Sequence, residues 1–325
     1  MNTPASTEPP AEDATVARAE ACVRRAGALT VGDLLRVQAM RTPNAPAVTE
    51  DDRTLSYAAF NLRVNRAANA LGTFGASRGT RVAILSENRT EYVELEFACA
   101  KIGVIACALN WRLADPELAH CIRLVAPVLI VVSPRFAPAL ARIDHGVAGV
   151  LSLGAAYESA LAYAATAEPR CDVDLEDGLL VLYTSGTTGL PKGALISHRA
   201  EVARMHVCRQ EFGLAEGDGF IAWPPMFHMA SSDQMIACLC TGAQVFVVDG
   251  FDLEKILPLV ARHRLWWLAI LPGTIDRFCA AVVASGITPK GIDRLGAMAD
   301  LVPPQQIAEV TALLLSAVCQ HVRFD

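Results

Sequence analysis

Strand-length apolar runs, separated by amphipathic helical segments, narrow the possible folds more than any other feature. Val82-Ala83-Ile84-Leu85 and Val128-Leu129-Ile130-Val131-Val132 carry no polar face, so each such strand must be covered on both sides. Before the first, Phe60, Val64, Ala67, Ala68 and Leu71 recur at three- and four-residue steps, which predicts a helix that Ser56 caps. A second helix is predicted through Tyr92, Val93, Leu95, Phe97 and Ala100, an extended stretch from Ile105 to Leu109, and a third helix from Pro116. The same alternation continues downstream. Strands are predicted at 179–183, 220–223, 244–248 and 265–270, and helices near 198–211, 231–240, 252–263, 273–285 and 304–319.

The grammar is that of an α/β protein with two similar sheets flanked by helices. A polar, acidic stretch at 166–176 reads as the crossing between them. The expected division is a flexible tail at 1–27, a first α/β subdomain at 28–170 and a second at 171–325. With 53% hydrophobic and 19% charged residues, the chain can bury cores for both subdomains and is not a disordered segment.

The net charge of −6 gives no long-range attraction to nucleic acid or to an anionic membrane. Apolar runs such as Leu265 to Leu271 are far short of the roughly 20 residues that a bilayer span needs. The first fifteen residues lack the apolar stretch of a secretory signal. The ten cysteines show no disulfide-like framing; the close pair Cys238 and Cys240 fits neither a redox CxxC nor a zinc knuckle. Most read as small buried hydrophobes in a reducing cytoplasm.

One segment carries chemistry. Tyr183-Thr184-Ser185-Gly186-Thr187-Thr188-Gly189-Leu190-Pro191-Lys192-Gly193 follows the apolar run Leu179 to Leu182. Between Thr184 and Gly193 there are four Ser/Thr hydroxyls, three glycines and one lysine. Such a chain can wrap its amides and hydroxyls around a polyphosphate while the lysine adds positive charge. By composition alone, a Ser/Thr/Gly run between a strand and a helix is more often a plain solvated loop. It is also not a Walker A loop, because Gly193 rather than Ser or Thr follows Lys192.

As a complete string, the segment resembles the phosphate-binding signature of the adenylate-forming superfamily, which includes acyl-CoA synthetases, luciferases and peptide-synthetase adenylation domains. Thr54-Leu55-Ser56-Tyr57, the stretch Arg63 to Leu71, Gly79-Thr80-Arg81-Val82-Ala83-Ile84 and Ala108-Leu109-Asn110-Trp111-Arg112-Leu113 resemble further landmarks of that family, read as structural. The Asn110-Trp111-Arg112-Leu113 form, with Glu117-Leu118 downstream, looks most like fatty-acid-type CoA ligases.

The resemblance implies that Thr184, Ser185, Gly186, Thr187, Thr188 and Gly189 hold the ATP phosphates, with Lys192 more a loop anchor than a catalytic group. It implies that Gly296, Ala297 and Met298 pack on adenine, in the segment Leu295-Gly296-Ala297-Met298-Ala299-Asp300. It also implies ATP, Mg2+ and coenzyme A as cofactors and co-substrates, and a small carboxylic acid as partner. A homodimer is one open possibility.

The second informative segment is Trp223-Pro224-Pro225-Met226-Phe227-His228-Met229-Ala230-Ser231. A lone histidine is more often a satisfied core or loop residue than a functional one. Here two prolines hold the chain extended before it and a helix begins just after, at a strand's carboxyl end, where α/β sheets bind ligands. In the family this is where the acid sits. Amino-acid-activating members have an aspartate after the matching Phe, able to pair with an α-ammonium. With His228 there instead, an ammonium would be buried without a partner, so a plain carboxylic acid is favoured, of medium-to-long-chain, aromatic or sterol-like type. By the resemblance, His228 is the one residue at the reacting centre, gating the acyl and CoA approach rather than acting as a general base. Ile270-Leu271-Pro272-Gly273-Thr274 resembles the stretch beside the acyl tunnel, and Trp266 and Trp267 before it are read as core filling.

The chain ends at His321-Val322-Arg323-Phe324-Asp325, which reads as a strand. In the family that strand runs into a Gly-x-Thr-Glu motif serving the phosphates and magnesium, and no such string occurs earlier in the chain. The expectation is a fragment of a ligase that stops before the barrel-like and carboxyl-terminal subdomains are complete. Alone, it would show little or no turnover, because cationic groups that neutralise the transition state belong to those parts. A non-catalytic nucleotide-binding module, or an enzyme loading a carrier protein, are the alternatives.

Overall fold

A computed structural model describes residues 29–184, 189–297 and 301–317. The tail expected at 1–27 and the last strand expected at 321–325 lie outside the described residues.

Within them, two six-stranded sheets are flanked by helices. The first sheet contains β3 (Arg81–Leu85), β4 (Ile105–Ala108), β5 (Leu129–Val132), β6 (Gly149–Ser152), β7 (Gly178–Thr184) and β8 (Lys192–Ser197), in the order β6-β5-β3-β4-β7-β8. The second contains β1 (Pro46–Glu50), β2 (Arg53–Ser56), β9 (Gly219–Ala222), β10 (Gln244–Val247), β11 (Leu265–Ile270) and β12 (Ile292–Ala297), in the order β12-β11-β9-β10-β1-β2. Within each sheet every pair is parallel except the outermost β7–β8 and β1–β2. Neither sheet closes into a barrel.

The helices follow from the expected patterns. Helix α1 (Val31–Arg41) starts at a Thr30 capping box, and Ser56 caps α2 (Tyr57–Thr73) by accepting the Ala59 N–H at 3.2 Å. Helix α3 (Thr90–Lys101) is buried on every face. It is sandwiched in the core with Tyr92, Val93, Leu95 and Phe97 fully covered, together with the buried Glu94 and Glu96. Helices α4 (Asp115–Val125), α5 (Ala137–Ala141) and α6 (Ala155–Tyr163) cover the first sheet's side of the chain. Helices α7 (His198–Gln210), α8 (Met229–Thr241), α9 (Leu253–Arg262), α10 (Ile275–Ser285) and α11 (Pro304–Ala317) complete the described set.

The sheets do not divide the chain near residue 170. The early hairpin β1–β2 joins the later strands, with Val48 opposite Val245, and β7–β8 joins the earlier strands, with Ala106 opposite Leu180. The hydrophobic pattern fixed the local elements, but strand pairing is a long-range choice that it does not encode. One core runs through both sheets, from Val31 and Phe60 to Phe220 and Trp266, with α1, α3 and α8 between them.

The strand–helix setting read for the phosphate segment is also corrected. Strand β7 pairs antiparallel with β8, with Tyr183 opposite Gly193 and Thr184 opposite Lys192, so a second strand and not a helix follows the segment. Gly193 permits this pairing, because a side chain there would press on Val181.

Candidate functional site

Strand ends of the second sheet build a cavity of about 410 Å³. Its walls are Pro224, Pro225, Phe227 and His228 beyond β9, Trp267, Ala269 and Leu271 of β11 and the residue after it, and Gly296 and Ala297 at the end of β12. Arg112, Ala230 and Gln234 close the rim. The position is the carboxyl edge of a parallel sheet, where the strand order turns from β9 outwards to β10 on one side and β11 on the other. The lining is mostly apolar, Arg112 is its one formal charge, and no carboxylate stands among the described lining residues.

Asn88, on the loop after β3, holds the β9 end in place. Its buried side-chain amide donates to the carbonyls of Ala222, Trp223, Pro224 and Val248 at 2.8–3.2 Å, sharing its two hydrogens, and its Oδ1 accepts the Met226 N–H at 2.9 Å. One side chain from the first sheet's half thus satisfies the backbone of two strand ends in the second. Ser231 Oγ donates to the Pro224 carbonyl at 2.6 Å and fixes the same loop from the helix side.

His228 is the N-cap of α8. Its Nδ1 accepts the Ala230 N–H at 3.2 Å, which in the neutral ring leaves the proton on Nε2 as a donor. Asp233 of α8 belongs to a buried acidic group with Glu96 and Glu201. Glu96 of α3, fully enclosed beside Ser232 and Asp233, is pushed up to about 8, chiefly by burial. Glu201 of α7 is driven well above the carboxylate range by burial and by Asp233. Asp233 itself pairs with Arg204 at 2.8 Å.

The phosphate hairpin lies beside this cavity. Thr184 is exposed at the end of β7, Gly189 has φ +97° in the returning turn, and Lys192 is exposed at the start of β8. Tyr183 Oη donates to the Cys121 carbonyl at 3.0 Å and His120 Nε2 lies 3.1 Å from the Pro191 carbonyl, so α4 anchors both legs of the hairpin. Thr184 and Gly189 line a depression of about 160 Å³ with Asn110, Leu113 and Tyr183. The turn at 110–113 borders both spaces: Asn110 and Leu113 face the hairpin side and Arg112 the apolar cavity. Arg112 lies 5.0 Å from the Trp111 ring, which in turn meets Phe227 edge-on at 5.8 Å.

Of the residues singled out in the sequence, His228, Gly296 and Ala297 meet in one cavity, and Thr184 and Gly189 meet in the other. Lys192 lines neither. Ser185, Gly186, Thr187, Thr188 and Met298 lie outside the described residues. Trp266 is core as expected, fully buried with Nε1 donating to the Phe212 carbonyl at 2.7 Å. Trp267 is not only core: it lines the cavity. The sequence reading missed that, and it missed Asn88 and the pocket role of Arg112. Period-two alternation of Trp267, Ala269 and Leu271 was the available signal for the first; nothing local marks Asn88.

Among the described residues, no group of three or more His, Cys, Asp or Glu could hold a metal ion. No described helix is long and apolar enough to cross a membrane.

The hairpin and the apolar, carboxylate-free cavity thus adjoin across the 110–113 turn. The chain belongs to the AMP-binding enzyme family, whose model matches residues 35–316. It is 29% identical over 278 residues to an indoleacetate–CoA ligase of Aromatoleum aromaticum, covering 82% of this chain and 54% of that protein. It is 35% identical over 244 residues to the fatty acid–[acyl-carrier-protein] ligase ScoC of Streptomyces coeruleorubidus, covering 73% of this chain and 47% of that one. The chain thus spans about half the length of these curated relatives. The fold is shared with the N-terminal domain of FACL13 from Mycobacterium tuberculosis, at TM-score 0.80 and 24% identity over 91% of this chain and 74% of that one.

Proposed function

We propose that this chain is the ATP- and acid-binding part of an AMP-forming carboxylic acid:CoA ligase. The observation that carries the reading is the adjacency of the two spaces across the 110–113 turn. An acid in the apolar cavity would present its carboxylate towards the hairpin, where Thr184, Ser185, Gly186, Thr187, Thr188 and Gly189 hold the nucleotide phosphates and Lys192 steadies the hairpin's return strand. Gly296, Ala297 and Met298 form the adenine side.

The reaction is attack of a carboxylate oxygen on the α-phosphorus, forming acyl-AMP and releasing pyrophosphate. A thiol sulfur then attacks the acyl carbon, and AMP leaves. Within this scheme the chain's own residues bind, orient and exclude water: Asn88 fixes the loop carrying His228, and His228 gates the acyl side with its Nε2 donor. A plain acid suits a lining without a carboxylate, since an α-ammonium would be left unpaired. Magnesium and coenzyme A enter with the full-length reaction, and the 325 residues alone turn over little. The protein works in the cytoplasm, in keeping with six buried free thiols among those described.

Transfer to a carrier protein instead of coenzyme A is the second reading, supported by the 35% identity to ScoC.

Titration of the protein with ATP, with and without a saturating aryl or alkyl acid, tests the proposal. Saturable nucleotide binding is expected, and no nucleotide binding would overturn it. Labelled pyrophosphate exchange into ATP should be slow; rates typical of intact ligases would refute the low-turnover part.

A further inference from the structure

The cavity-facing row of β11 is Trp267, Ala269 and Leu271, so the wall runs from a large side chain at depth, through a small one, to a medium one at the mouth. Between the Cα atoms of Trp267 and Leu271, a strand rises about 13 Å. The register with β12 places Arg294 opposite Trp267 and Gly296 opposite Ala269. Yet a Cβ built on Gly296 would overlap the Trp267 indole. The indole therefore does not stand straight out from its own strand position. It leans two residues towards the mouth and lies across the bare backbone of Gly296, and only a glycine permits that.

Behind the indole the space is filled. The Phe212 ring lies 5.9 Å away, Trp266 lies 5.6 Å away, and the Arg294 guanidinium sits 5.4 Å from the Phe212 ring while its Nε donates to the Phe212 carbonyl at 2.7 Å. The indole is backed by packed aromatic rings and cannot retreat without disturbing them.

We propose that Trp267, carried across Gly296, is the floor of the cavity and the residue that selects compact, aryl-bearing carboxylic acids over long straight-chain ones. This rests on the reading of the cavity as the acid site. A ring entering from the mouth, past Ala269, meets the indole edge or face at a favourable aromatic contact. An extended alkyl chain runs into the same indole before it is covered, and its remaining methylenes stay in water. With the indole lying across the Ala269–Gly296 level, the cavity is shallow and fits a short rigid acid.

The test is calorimetric titration of the protein and of its Trp267→Ala and Trp267→Leu variants with phenylacetate, cinnamate, octanoate and dodecanoate. Trp267→Leu keeps apolar bulk and guards against a Trp267→Ala chain that fails to fold. The wild type is expected to bind the two aryl acids more tightly than dodecanoate. In the variants, aryl-acid affinity is expected to fall by up to about tenfold, the worth of an aromatic contact, while dodecanoate affinity rises, so that the order reverses. Variants that keep the wild-type order, or that weaken all four acids by one common factor, would overturn the role of Trp267. A wild type that prefers dodecanoate would overturn the selectivity. A wild type that binds none of the four, while still binding ATP, would instead sink the acid-site reading on which the inference rests.

Discussion

The apolar cavity and the phosphate hairpin meet at one turn but are built in opposite ways. The cavity is made of side chains fixed by contacts across the whole chain: Asn88 reaches carbonyls 134 to 160 residues away, and the Trp267 indole lies over Gly296. The hairpin is an edge pair whose return strand is mostly exposed, held from below by Tyr183 and His120. In the proposed function the cavity would select an acid by shape and the hairpin would follow a phosphate chain. The contrast teaches that selectivity and nucleotide binding can be damaged separately.

The largest effect is expected on the cavity side. Asn88→Ala removes the amide that satisfies five buried backbone groups and should cost about 3 kcal/mol of stability, measured by urea unfolding. A loss under about 0.5 kcal/mol would show that the clamp is dispensable. Gly296→Ala forces the Trp267 indole off the β12 backbone and should cost about 2 kcal/mol by overpacking, with the indole fluorescence displaced as well. Unchanged fluorescence and stability would mean the indole does not lie where the geometry puts it. On the hairpin side, Tyr183→Phe deletes one hydrogen bond to the Cys121 carbonyl and should cost only about 1 kcal/mol. A cost equal to that of Asn88→Ala would erase the contrast between the two regions.

For Glu96→Gln the two proteins should differ least at pH 4.5 and below, where both side chains are neutral, and increasingly above it. In the unfolded chain this carboxyl titrates near 4.5, whereas in the folded protein it holds its proton up to about 8. The folded state then binds more protons than the unfolded one across that window, so wild-type stability falls as pH rises from 4.5 and levels off at about 8. The glutamine variant cannot ionise, so its unfolding midpoint should fall less steeply over the same range. Identical slopes for the two proteins would contradict a protonated Glu96.

The same contrast explains what the sequence disclosed. The hairpin's chemistry is local: hydroxyls, glycines and a lysine within ten residues, recognisable before any fold is known. The strands and helices were legible because buried parallel strands are apolar throughout and their helices repeat every three or four residues. Pairing was not, which is why β1–β2 and β7–β8 cross the expected boundary near 170, and why strand β8 stands where a loop into a helix was expected. His228 was legible from its prolines and neighbouring Phe227. Asn88 was not, since its role exists only where two strand ends meet it. Trp267 was half-legible: its size suggested core, while its place on the cavity face depends on the glycine opposite its neighbour.

The central claim is that one chain holds a nucleotide and an acid side by side. The direct test is titration of the protein with an arylacetyl sulfamoyl adenosine, in which a sulfamoyl group that cannot be displaced stands in for the acyl phosphate linkage. Binding at least about a hundredfold tighter than that of AMP or the free acid alone is expected, because the two halves would occupy adjoining spaces and the second binds at high effective concentration. An affinity no better than that of the tighter half would contradict it.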